Sequence, residues 1–358
     1  MNWLAFFLML PHLKPKCLDV LNPGLYRALD VLRILSLLVI CALFLRACLR
    51  EKKLTTPVSL LLGVMEVWIC LVTIITRGDF VETCSLAVSI MAIVLLVDLY
   101  ADRMKELLTA LMLNYEWVVY VNLASILMDP QKGFFYDLEY GWASIYFFGP
   151  DNWFMYLCIP AVCVALLYAQ VRIHDTRKAV HILRALCLIA AAYATILIRW
   201  PVTAVAAMVV LAAVLLMSFV PGLCCCATFP VVFVGGIAAN LAVAVFRVME
   251  TVPFLAHFIQ TVLKKSVSLS GRVDVWKCYL PRLIDHLWLG EGNPVGGYTT
   301  PQGAMDHLHN QYFDLLALGG LPALMLFVAA LLIVGKELTV HRKTPAARIM
   351  TACIAALR

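Results

Sequence analysis

The sequence predicts an all-α fold: a polytopic transmembrane helical bundle of about nine to ten spans, with a long extracytoplasmic loop containing short helices. Three observations lead there. Of 358 residues, 63% are hydrophobic and only 14% are charged, whereas a soluble domain carries roughly a quarter charged residues. The mean hydropathy is +0.91. Apolar runs close to the ~20 residues that a helix needs to cross a bilayer recur along most of the chain. A water-soluble enzyme is thereby excluded. The net charge of +6 would suggest nucleic acid in a soluble chain. In a membrane chain its meaning lies in which connections hold the Lys and Arg, and no nucleic-acid partner is expected.

Residues 1–33 form an apolar or interfacial N-terminal segment. Its opening MNWLAFFLML stops at Pro11 and has neither a basic start nor a small-residue cleavage site, so it reads as neither a span nor a signal peptide. Residues 34–246 hold eight candidate spans, at 34–49, 56–76, 85–101, 107–128, 153–170, 182–199, 201–219 and 227–246, with an outer loop at 129–152. Residues 247–311 form a long extracytoplasmic loop and the candidate catalytic region. Residues 312–358 carry the last full span at 312–334, a basic cytoplasmic loop and the start of a further helix. Its run ARIMTACIAALR is too short to cross. Both ends read as parts of a longer bundle.

Short connections alternate in charge. Arg46, Arg50, Lys52 and Lys53, then Arg103 and Lys105, then Arg172, Arg177 and Lys178, then Lys336, Arg342, Lys343 and Arg348 fall on one side. The intervening short connections hold only Arg77, Lys132 and Arg199. By the positive-inside rule the first set is cytoplasmic. Lys14, Lys16 and Arg27 fit poorly on the outer side that this assigns to the N-terminal segment. The 13 cysteines form no CxxC or Cys/His metal spacing, and most lie in apolar stretches where a free thiol behaves as a small hydrophobe.

The two long outer connections differ. Segment 129–152, DPQKGFFYDLEYGWASIYFFGPDN, is rich in aromatics, Gly and acids, and an interfacial helix is expected there. Segment 247–311 contains too many Trp, Tyr and Leu to be disordered, and structured loops of this length are usually functional. Within it SLSGRVDVWKCYLPRLIDHLWLGEG predicts a turn at Ser270-Gly271, then a helix bearing Arg272, Trp276 and Tyr279 that closes at Gly290 and Gly292. Its apolar positions would let it lie along the membrane surface. The plain alternative for Arg272 is an interfacial cation touching lipid phosphate.

The loop ends in MDHLHNQYFDLLALGGLPALM, with Asp306, His307, His309 and Asn310 just before a span. Histidines two residues apart do not share a helix face, so the pair is weak as a metal site, and no metal or cofactor is expected. Imidazole is suited to accepting a hydroxyl proton near neutral pH. Arg199 lies in TILIRWPVTAV, between two tightly joined spans. Its plain alternative is a helix-end Arg reaching to the headgroups. Sidedness places Arg199, Arg272 and His309 on the outer face, where two guanidiniums and an imidazole would suit a diphosphate and a nucleophilic hydroxyl.

At these residues the chain resembles the O-antigen ligase superfamily, membrane glycosyltransferases that include O-antigen ligases and Wzy-type polysaccharide polymerases. The resemblance rests on SGRVDVW with Arg272 and Trp276, on GEG at Gly290 to Gly292, and on HNQYFDLLALGG with His309, Asn310 and Gly319. FFGPDN at 147–152 is similar to a Gly-Asn segment preceding a span in many members. It covers about 147 to 335. It implies a helical fold and metal-independent transfer of glycan from an undecaprenyl-diphosphate carrier to a lipid-linked or lipid-anchored acceptor. The place implied is the outer face of a bacterial cytoplasmic membrane. Arg272 and Arg199 then look like the diphosphate-binding arginines. His309 looks like the residue that activates or positions the acceptor, with Asn310, Trp276, Gly290 and Gly292 in support. Ile198 before Arg199 departs from the small residue usual in the family. FFGPDN leans the expectation towards polymerase. A transporter or lipid flippase using Glu66 and Glu116, which fall near mid-span, is the alternative.

Overall fold

The computed structural model describes residues 3–51, 55–130, 133, 135–137, 143–261, 272–300, 303–305 and 307–357. The helices run in the order α1 (Trp3–Met9), α2 (Cys17–Leu21), α3 (Pro23–Glu51), α4 (Pro57–Ile75), α5 (Phe80–Leu99), α6 (Met104–Met128), α7 (Phe154–Val171) and α8 (Lys178–Arg199). They continue with α9 (Val202–Phe219), α10 (Phe229–Asn240), α11 (Val248–Thr251), α12 (Pro253–Thr261), α13 (Arg272–Asp285), α14 (Gln311–Val340) and α15 (Pro345–Leu357). The strands are β1 (Phe135–Asp137), β2 (Ala143–Ile145), β3 (Tyr298–Thr300) and β4 (Gly303–Met305), which form two short antiparallel hairpins. Among the described residues eight helices are long and apolar enough to cross a membrane: α3 to α9, and α14. The fold is an all-α polytopic bundle.

Two compact units divide the chain. The first comprises Met1–Leu54, Val88–Phe229 and Leu338–Arg358; the second comprises Thr55–Ala87 and Pro230–Glu337. In the first, α6, α7, α8, α9 and α15 enclose Val118, Leu157, Ala161, Ala165, Leu188, Ala192, Ala204, Leu211 and Ile349. The many alanines allow close helix approach, the main source of packing where lipid is as apolar as the side chains. A second cluster joins α1, α3, α5 and α6 through Ala5, Ile40, Leu96, Leu107 and Ala110. In the second unit Met65 and Ile69 of α4 pack on Leu315 and Ala323 of α14. The apolar face of α13 closes on Ala244, Tyr298, Leu308, Phe313 and Ala317.

Most spans fall where the apolar runs place them. The first begins earlier, at Pro23 rather than 34, because Asn22 caps it: its Oδ1 accepts from Leu25 N at 3.0 Å. Charges at and before its start are paired: Lys14 and Arg33 with Asp30 at 2.6 and 3.1 Å, and Lys16 with Asp19 at 2.5 Å. Three of the local cations therefore have carboxylate partners, which weakens them as a signal of sidedness. The N-terminal segment is packed, and Asn114 Nδ2 of α6 donates to the Phe6 carbonyl at 3.2 Å.

The run at 227–246 is not a full regular span. It forms the 12-residue α10 followed by a π-helical turn over Leu241–Val245, short of the ~20 residues that crossing requires. Asn240, the last residue of α10 before the change of pitch, accepts from Asn310 Nδ2 at 3.3 Å. In the outer loop at 129–152 the described residues form the β1–β2 hairpin where an interfacial helix was expected. Phe135 pairs with Ile145 and Asp137 with Ala143; residues 138–142 lie outside the described set. Gly133 at φ 70° sets the hairpin's entry, and a Cβ there would lie 2.9 Å from Ile145 O. The segment 247–311 likewise adds the β3–β4 hairpin to its short helices. The Ser270-Gly271 turn lies outside the described residues.

Candidate functional site

Six of the seven residues singled out in the sequence belong to the second unit, within 272–310. Arg272 opens α13, with Asp274 in the first turn and Arg282 in the last, charges that complement the helix dipole. Val273, Val275, Trp276, Tyr279 and Leu283 are buried. The expected apolar contact of this helix with the membrane surface is instead contact with protein, because that face is covered by β3, Leu308 and α14. Arg272 itself is only half-buried, one turn before Trp276.

Trp276 fixes the catalytic candidate. Its Nε1–H donates to the Leu308 carbonyl at 2.7 Å, while Leu308 N donates to Asp314 Oδ1 at 2.6 Å. Asn310 caps α14: its Oδ1 accepts from Tyr312 N at 3.1 Å and Phe313 N at 3.4 Å. Its Nδ2 donates to Asn240 Oδ1 at 3.3 Å. Between these anchors His309 takes a left-handed backbone, φ 58°, a conformation that costs a non-glycine residue energy and persists where its surroundings impose it. Its ring meets His307 edge to face at 4.3 Å between centroids. Burial, then the neighbouring His307 and Arg272, pushes the His309 imidazole down from 6.5 to about 4, so it is neutral at physiological pH. Asp306 lies outside the described residues.

The GEG segment packs its backbone closely on α14 and α4. Gly290 has φ 81° and sits against the break in α14, where Gly320 has φ 63°. A Cβ at Gly290 would lie 2.7 Å from Gly320 N and 2.8 Å from Ala317 O. Gly292, at φ 71°, lies as close to Thr73 Cα of α4, 2.8 Å from a notional Cβ. Gly290→Ala is expected to cost at least about 1–3 kcal/mol, read as a lower thermal unfolding midpoint of the purified protein. Trp276→Phe keeps the ring but leaves the buried Leu308 carbonyl without its donor. A loss of about 1–3 kcal/mol is expected, together with reduced activity through a looser His309. An unchanged midpoint would remove this bond as the clamp.

Three polar groups at the site were not foreseen. Glu291, flanked by the two glycines, accepts from Tyr279 OH at 3.1 Å and Arg282 Nε at 2.6 Å. Asn293 reaches α4 and the start of α5: its N donates to Thr73 Oγ1 and its Nδ2 to Glu82 Oε2, both at 3.3 Å. Asn240 supports Asn310. A lone Asn in an apolar run and an acid between glycines are the signals that mark them.

Arg199 belongs to the first unit, at the last turn of α8. Trp200 (φ 50°) and Pro201 turn the chain directly into α9. The guanidinium donates to the Pro130 carbonyl and, at 3.3 Å, to Asp151 Oδ2, and lies 5.0 Å from the centre of the Tyr146 ring. The FFGPDN segment thus supplies, in Asp151, a carboxylate that holds Arg199. Among the described residues no group of three or more His, Cys, Asp or Glu is placed to hold a metal ion.

The fold is that of a multi-pass helical membrane protein, and the candidate site is a polar loop packed on α4 and α14 of the second unit. No protein-family model, curated protein or solved structure matches the chain.

Proposed function

We propose that the chain is a metal-independent membrane glycosyltransferase of the O-antigen ligase and polymerase type. It would act at the outer face of a bacterial cytoplasmic membrane, taking glycan from an undecaprenyl-diphosphate carrier in cell-surface polysaccharide biosynthesis. The observation that carries the reading is a neutral imidazole, His309, held in a strained and doubly anchored loop within the field of Arg272. A hydrogen-bond acceptor beside a guanidinium fits a reaction in which a hydroxyl loses its proton while negative charge gathers on a departing diphosphate.

In this reading the acceptor hydroxyl oxygen forms a bond to the anomeric carbon. The bond from that carbon to the diphosphate breaks, and its electron pair leaves with undecaprenyl diphosphate. The hydroxyl proton passes to His309. Arg272 meets the diphosphate. Arg199 is assigned the same task on the strength of the resemblance and of its sidedness, with Asp151 holding it until the donor competes for its charge. The carrier is itself a good leaving group, so neither nucleotide nor metal is called for. The transporter alternative has less to rest on, since Glu116 is engaged by Arg184 at 3.0 and 2.5 Å, leaving Glu66, buried on α4.

The test is incubation of the purified protein with one defined lipid-linked repeat unit. A ladder of products identifies a polymerase. Product only after a different acceptor is added identifies a ligase. Gradient-driven flux without bond formation overturns the enzyme reading.

A further inference from the structure

We infer that the first unit contains a second anion site, a pocket for a phosphate group at the end of the bundle that carries the basic connections. The pocket has a volume of 540 Å³ and is lined by Ser218, Cys224, Cys225, Arg342, Lys343 and Arg348, among others. That volume lies within the usual range for ligand sites. Its charge is one-sided. Three cations line it and no acid does. The chain from Val202 to Phe229 and from His341 to Arg358, which supplies all the lining, contains no Asp or Glu.

Among the described residues none of the three cations has a carboxylate partner. Arg348 is set in advance: its guanidinium lies 5.1 Å from the centre of the Phe219 ring, and its Nε donates to the Arg342 carbonyl at 3.4 Å. The nearby hydroxyls of Ser218, Thr228 and Thr351 are turned to backbone carbonyls at 2.6, 3.2 and 2.8 Å. The donors left for a ligand are therefore the guanidiniums and the ammonium. Arginine favours the two-pronged geometry of phosphate oxygens, and basic pockets between spans are suited to anionic headgroups. The same chemistry would accept a soluble phosphoryl group. The pocket's lining belongs to the first unit and the His309 loop to the second, and its test does not use glycan transfer.

Purified full-length protein is placed in phosphatidylcholine nanodiscs, with and without phosphatidylglycerol, and separately with inorganic pyrophosphate. Maleimide labelling of Cys224 and Cys225, exposed thiols on the pocket wall, is followed by peptide mass spectrometry. One probe is expected to slow labelling severalfold. The double variant Arg342→Gln, Arg348→Gln is expected to weaken that probe at least about tenfold. Protection by phosphatidylglycerol alone assigns the ligand as a lipid headgroup, and protection by pyrophosphate alone as a soluble phosphoryl group. Should the double variant not fold, Lys343→Glu, at an exposed turn position, is expected to abolish protection. Absence of protection by both probes, or protection that persists in a folded variant, overturns the site.

Discussion

On the proposed reading, replacing His309 by alanine is expected to lower glycan transfer by about 10²- to 10⁴-fold, with membrane expression unchanged. Its side chain makes none of the hydrogen bonds that clamp the loop; Leu308 and Asn310 make them. The pH dependence distinguishes its role. In the free protein the imidazole is pushed down to about 4 by burial and then by His307 and Arg272. The acid limb of kcat/KM, which reports the free protein, is therefore expected near that value. A bound diphosphate brings negative charge and offsets Arg272, so the acid limb of kcat is expected to move up towards 6.5. Coincident limbs would mean that His309 does not meet the diphosphate-loaded site. Stability follows the same sign. Between 6.5 and about 4 the unfolded chain takes up a proton that the folded chain refuses, so acidification through that window destabilises the protein, and His309→Ala is expected to flatten this slope. Full polymer formation by His309→Ala would end the assignment.

The spans were legible because hydropathy is written locally, one residue at a time, and α4 to α9 lie within a few residues of the runs that predict them. What escaped was set by partners distant in sequence. The start of α3 depends on Asn22 and on the pairing of Lys14 with Asp30, and an apolar window counts those charges against a helix. At the interruption after Asn240 the side chain is bonded to Asn310, 70 residues away. In the site, Trp276 and His309 were named from a motif, but the motif is silent on how Leu308 joins them through one carbonyl. Gly290 and Gly292 were named as a pattern. Their physical role is close backbone approach, to α14 and to α4 respectively, and it became visible only once those neighbours were in place. Glu291 was overlooked since an acid flanked by glycines looks solvated, whereas its side chain is 8% exposed and engaged by Arg282.

Arg272→Gln is the second substitution expected to be severe, lowering kcat/KM by about 10²- to 10³-fold if the guanidinium stabilises charge on the leaving diphosphate. Arg272→Lys should recover part of the loss, since a point charge replaces the fork that grips two oxygens. A structural role alone would not produce the accompanying change at His309. Arg272 is one of the groups that depress its proton affinity, so Arg272→Gln is expected to shift the acid limb of kcat/KM upwards. The shift stops short of 6.5 because burial, the larger cause, and His307 remain. The unfolding midpoint, measured alongside, separates a loss of folding from a loss of function. Lost activity with a displaced limb and an intact midpoint would tie Arg272 to both halves of the reaction, the departing diphosphate and the incoming hydroxyl. Lost activity with an unmoved limb would separate them, leaving Arg272 as a diphosphate ligand that does not act on His309.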